Sequence, residues 1–138
     1  ATSFLVTGHS GQSLEWIAEH GDGWLYYPRN MEVLQHSMAR WQAALESADQ
    51  PRKPYLQSLY IDLTDADDAP PRPIHLGIRS GVKFLLSYLK ALESHGVSHV
   101  ILNLKYSTAP AADVIERLGE EVLPHFLKPD VSEEVVEM

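Results

Sequence analysis

The chain has 138 residues, 44% hydrophobic and 22% charged, the balance of one globular domain with a core of ordinary size. It contains no cysteine, which excludes a disulfide scaffold, a thiolate nucleophile, an iron–sulfur cluster and a Cys-based zinc site, and agrees with a reducing cytoplasm. Its formal charge of -8 repels nucleic acid, and its longest apolar runs fall far short of the ~20 residues that span a bilayer. Neither a nucleic acid nor a membrane is an expected partner, and the expected location is the cytoplasm.

Phe4 to Thr7 is a short apolar run closed by Gly8, the pattern of a strand covered on both faces. From Ser10 onward Leu14, Ile17 and Ala18 recur at helical spacing, with Ser10 as cap and Gly21 as left-handed terminator. Gly23 to Tyr27 reads as a second strand stopped by Pro28, and Asn30 then caps a helix with Leu34, Met38, Trp41 and Leu45 on its buried stripe. Tyr55 to Leu63 is a third strand, rich in β-branched and aromatic residues, that empties into the acidic loop Asp65 to Asp68. The proline-rich stretch Ala69 to Pro73 reads as a stiff connection. Beyond it a helix carries Val82, Leu85, Leu86, Leu89 and Leu92 on one side, with Gly96 past its end. The fourth strand is Val100 to Leu104, and a last helix from near Pro110 turns Val114, Ile115, Leu118, Val122 and Phe126 inward.

Strand and helix thus alternate four times, which predicts an α/β fold of four consecutive parallel βα units with right-handed crossovers. Residues 1–127 form the domain, and 128–138 an acidic C-terminal tail.

Three blocks resemble the second half of the luciferase-like flavin-dependent monooxygenases. The first is Gly8-His9-Ser10-Gly11-Gln12-Ser13-Leu14-Glu15-Trp16-Ile17-Ala18 with Gly21-Asp22-Gly23-Trp24. The second is His75-Leu76-Gly77 with Gly96-Val97-Ser98-His99-Val100-Ile101-Leu102-Asn103-Leu104, and the third is Glu116-Arg117-Leu118-Gly119-Glu120-Glu121-Val122-Leu123-Pro124. The resemblance runs from Phe4 to about Phe126. It implies the C-terminal half of a TIM-type (β/α)8 barrel, with Leu5, Leu25, Ile61 and Ile101 facing a lumen that four strands cannot close. A second copy of the chain, as a homo-oligomer, or a missing barrel half would close it.

The resemblance also implies part of an FMN-dependent monooxygenase or oxidoreductase, acting on a small-molecule substrate, with NAD(P)H as a candidate electron donor and a deazaflavin as the alternative cofactor. A half-barrel module that binds a phosphate-bearing ligand weakly, or only associates with itself, is the non-catalytic alternative.

The loop Gly8, His9, Ser10, Gly11, Gln12 and Ser13 is the candidate cofactor site. It joins a strand end to a helix start, where orphan N–H groups favour an anion, and its glycines permit close approach. The resemblance makes it the flavin phosphate loop, with His9 a departure from the small or polar residue usual there. Trp24 offers an aromatic wall, though core packing is the better reading for an aromatic residue on a buried strand. Arg29 and Arg79 are candidate anion partners. No catalytic acid or base stands out. The seven histidines lack zinc spacing, and Asp62, Asp65, Asp67 and Asp68 lack the glycine and closing glutamate of a calcium loop, so they read as a solvated acidic segment with no metal.

Overall fold

The computed structural model describes residues 2–27 and 30–127. Arg29 and the tail 128–138 lie outside the described residues. The elements in chain order are β1 (Leu5–Thr7), α1 (Leu14–His20), β2 (Gly23–Tyr26), α2 (Met31–Ser47), β3 (Tyr55–Leu63), β4 (Arg72–Ile74), β5 (Gly77–Ser80), α3 (Val82–Ser94), β6 (His99–Asn103) and α4 (Ala111–Glu121), followed by a 3-10 turn at Leu123–His125.

The fold is mixed α/β. β1, β2, β3 and β6 are parallel neighbours, with β3 central. The plain four-unit alternation needs a correction, because the third crossover carries a hairpin. β5 runs parallel to β3, and β4 runs antiparallel to β5. Leu56 and Gln57 pair with both β2 and β6, and Tyr60 pairs with both β5 and β6. β2 and β5 therefore follow one another along the same edge of β3. The proline-rich composition of 69–73 reads as linker, yet an edge strand tolerates Pro73, since its outer side needs no N–H donor.

Residues paired in a parallel register share a face. Trp24 pairs with Tyr55 and lies 5.7 Å, ring to ring, from Trp41 of α2. The odd-numbered residues of β3 therefore face the helices. Tyr55, Gln57, Leu59, Ile61 and Leu63 are all buried there, with Leu34, Trp41, Leu45, Leu85 and Leu92 of α2 and α3 in the same core. Each such apolar side chain contributes roughly 1.5–3 kcal/mol, so this layer outweighs any surface ion pair.

Ile61 is consequently a helix-side residue, 1% exposed, and Tyr60 and Asp62 take the other, concave face of β3. Leu5 and Ile101 do lie on that face, 45% and 43% exposed. β1 is thus covered on one face only, against the expectation of a doubly covered strand.

Three local readings change as well. Ser13 rather than Ser10 caps α1, its Oγ accepting from Trp16 N at 3.1 Å. Gly21 has φ -83°, and its lack of a side chain serves packing, because a Cβ there would meet the Ile17 carbonyl oxygen at 3.0 Å and Val6 at 3.1 Å. Ile115 points out of the core at 61% exposure.

Candidate functional site

The segment Gly8–Ser13 leaves the C-terminal end of β1, at the rim where parallel sheets bind ligands. Gly8 is buried, and its N–H donates to Leu25 O at 2.8 Å, so β2 anchors the start of the loop. Gln12 N donates to His9 O at 2.7 Å and closes the turn. Between these two bonds the chain is left-handed at Gly8, Ser10 and Gly11, with φ of 59°, 46° and 72°. Turns of this kind gather backbone N–H groups into anion-binding concavities.

The N–H groups of His9, Ser10 and Gly11 have no acceptor among the described residues. A Cβ on Gly11 would meet nothing within 4 Å, so the approach to that backbone is open.

The two serines divide their work. Ser10 Oγ donates to Thr7 O at 2.8 Å and is spent on holding the loop. Ser13 Oγ accepts from Trp16 N, which leaves its own proton to donate outward. The loop therefore presents the backbone N–H groups of His9, Ser10 and Gly11 and the Ser13 hydroxyl as donors, with Ser10 shaping the turn. Gln12 and His9 are exposed at its edge.

Trp24 stands behind the loop rather than beside a ligand. It is 2% exposed, and its Nε1 donates to Gly8 O at 2.6 Å. Its ring packs against Tyr26, Trp41 and Tyr55 at centroid distances of 4.7–5.7 Å, and His9 lies 5.8 Å from both Trp24 and Tyr26. The Asp22-Gly23-Trp24 run has a structural account along its whole length. Asp22 Oδ2 accepts from Phe4 N at 2.6 Å, and a Cβ on Gly23 would strike Leu5 at 2.8 Å and the Pro54 carbonyl oxygen at 3.0 Å.

Further round the rim, Asp62 departs from the solvated segment expected of it. It is 4% exposed, and its Oδ1 accepts from Thr108 N at 3.0 Å and Thr108 Oγ1 at 2.9 Å. Its Oδ2 lies 3.6 Å from Arg79 Nε. One buried carboxylate thereby ties the segment after β6 to β3 and faces Arg79 of β5. Asp67 pairs with Arg117 at 2.6 Å, and Arg117 Nη1 also donates to Thr64 O at 2.7 Å. Arg79, Thr108 and Arg117 border a cavity of about 390 Å3, lined also by Thr64, Asp65 and Asp113 among others.

Sequence reasoning missed Asp62 as a structural carboxylate. The available signal was its place between Ile61 and Leu63, since a charge inside an apolar strand demands partners. Among the described residues no group of three or more His, Asp or Glu lies close enough to hold a metal ion, and no helix is long and apolar enough to cross a membrane.

A second, apolar groove of about 680 Å3 lies outside the sheet between α3, β6 and α4, lined by Leu89, Val97, Leu102, Leu118, Val122 and Phe126 among others. In the core beside it, Gln57 Nε2 donates to Tyr88 Oη at 3.5 Å, and burial raises the Tyr88 phenol above its usual value while that bond opposes the rise.

No family model matches the sequence, and no curated protein sequence matches it. Among solved structures, the fold is similar to an F420-dependent secondary alcohol dehydrogenase in complex with an F420-acetone adduct, with TM-score 0.65 and 12% sequence identity. The similarity covers 91% of this chain and 48% of that one, so the chain spans about half the length of the enzyme it resembles.

Proposed function

We propose that the chain is part of a flavin-dependent oxidoreductase of luciferase-like type, with Gly8–Ser13 receiving the cofactor phosphate. The observation that carries this reading is the loop itself: a left-handed backbone at Gly8, Ser10 and Gly11, with N–H groups lacking acceptors, at the C-terminal rim of a parallel sheet. The three sequence blocks and the fold shared with an F420-dependent enzyme support the same cofactor class. FMN is the first candidate and a deazaflavin such as F420 the second. When bound, either supplies the hydride chemistry.

The roles of this chain are binding and orientation. The N–H groups of Ser10 and Gly11 and the Ser13 hydroxyl hold the phosphate, and Trp24 fixes the loop from behind through Gly8 O. The remaining half of a (β/α)8 barrel, from a second copy or a longer chain, completes the pocket for the small-molecule substrate and for any nicotinamide donor. A non-catalytic half-barrel module is the second reading, favoured by the concave-face exposure of Leu5 and Ile101.

Titration of the purified chain with FMN and with F420, followed by fluorescence, separates the two. Saturable binding of either cofactor supports the first reading. A chain that ignores both supports the second.

A further inference from the structure

The concave face carries a second group of side chains, on β3, on the β4–β5 hairpin tip and after β6, that the flavin loop does not use. Tyr60, His75 and Tyr106 form a ring cluster. Tyr60 lies 5.0 Å from Tyr106 and 6.1 Å from His75, and His75 meets Tyr106 edge-on at 6.0 Å. All three keep solvent access, Tyr106 at 41%.

The cluster is held in place. Leu76, beside His75 at the hairpin tip, has φ 50°, a left-handed conformation that is unfavourable for a bulky L-residue. Such strain persists only where the surroundings fix it, and here the Leu76 carbonyl accepts from Tyr60 N at 3.2 Å.

Positive charge adjoins these rings. In the sheet register Gly77 stands beside Tyr60 and Arg79 beside Asp62, so Arg79 is two residues, about 6.5 Å, further along the same face. Asp62 lies near Arg79 Nε only, and the two terminal guanidinium nitrogens have no acceptor among the described residues. Lys105 Nζ sits 5.6 Å from the Tyr106 centroid. Asp62 is shared between Thr108 and Arg79, Asp65 and Asp113 border the cavity that Arg79 also lines, and Arg79 and Lys105 are the cationic side chains that this part of the rim offers an anion.

We propose that Tyr60, His75, Tyr106, Arg79 and Lys105 form a ligand subsite for a planar aromatic ring bearing an anionic group, the ring on Tyr60 and Tyr106 and the anion at Arg79 and Lys105. As a substrate class for the proposed oxidoreductase, an aryl carboxylate rests on that reading. The subsite itself needs no flavin, so its test fails or succeeds separately.

The test is titration of the full chain, without cofactor, with 2-naphthoate, with neutral 2-naphthalenemethanol and with cyclohexanecarboxylate, followed by amide chemical shifts. The proposal expects 2-naphthoate to bind tightest, with shifts centred on Tyr60, His75 and Tyr106. Tyr106→Leu should weaken it about two- to tenfold, and Arg79→Gln about tenfold while leaving the neutral ring unaffected. Equal binding of 2-naphthoate and the neutral ring, no binding of 2-naphthoate, or shifts centred elsewhere would each overturn the proposal. The comparison of three probes on the wild-type chain decides this even where a variant fails to fold.

Discussion

The Trp24 indole donates a 2.6 Å hydrogen bond to the carbonyl oxygen of Gly8, so the most buried aromatic of β2 sets the first residue of the candidate phosphate loop. Core and site are one construction at this point. Trp24→Phe keeps an aromatic ring but leaves a buried carbonyl without its donor, a loss of about 1–3 kcal/mol. Urea unfolding should show a lower midpoint with an unchanged m-value. A change within about 0.5 kcal/mol, the range of a surface substitution, would mean that the bond does not hold the loop.

Tyr88 gives the fold an alkaline sensitivity. Burial raises its phenol above the usual value, and the Gln57 hydrogen bond only partly offsets this. An acid whose folded-state pKa is raised loses its proton first in the unfolded chain. Its contribution to stability is therefore whole below about pH 10 and falls as pH rises through the folded value. Urea midpoints taken from about pH 8 to pH 11 should fall less steeply in Tyr88→Phe than in the wild type. Parallel curves would contradict the assignment.

Association is expected from the open concave face and the bare strand edges. Leu5 and Ile101 lie 45% and 43% exposed on that face, and β1, β4 and β6 each have one unpaired side among the described strands. Light scattering from micromolar to millimolar protein should show a mass that rises with concentration to at least a dimer. A constant monomer mass across that range would show that these edges are protected as they stand.

Periodicity made the helices legible, and chemistry made their caps partly so. Asn30 was readable as the cap of α2, and its Oδ1 accepts from Val33 N at 2.9 Å. Ser10 and Ser13 both precede the apolar stripe of α1, and only the backbone, left-handed at Ser10, shows which of them caps. The β4–β5 hairpin was illegible because Pro70, Pro71 and Pro73 carry the composition of a linker, while pairing to β3 is a long-range event.

The half-barrel expectation puts Ile61 on the wrong face, because its apolar character does not fix the parity of the strand. On a strand buried on both sides apolar character has no alternation, and the parity comes from Trp24 opposite Tyr55. Ile115 was read inward for a similar reason: the helical stripe records a surface that wants cover, and the described chain does not cover it.

The loop Gly8–Ser13 is proposed to bind the phosphate of a flavin through its backbone. The direct measurement is the affinity of the chain for FMN beside that for riboflavin, which has the same ring and no phosphate, in the wild type and in Gly11→Val. A valine adds bulk beside the open backbone and disfavours φ 72°, at an exposed position where a Cβ meets nothing within 4 Å. FMN should bind about tenfold or more tighter than riboflavin in the wild type, the scale of one to two charge-assisted hydrogen bonds, with near-equal affinities in Gly11→Val and the fold intact. Equal affinities for the two ligands in the wild type, or an FMN preference that survives Gly11→Val, would contradict it.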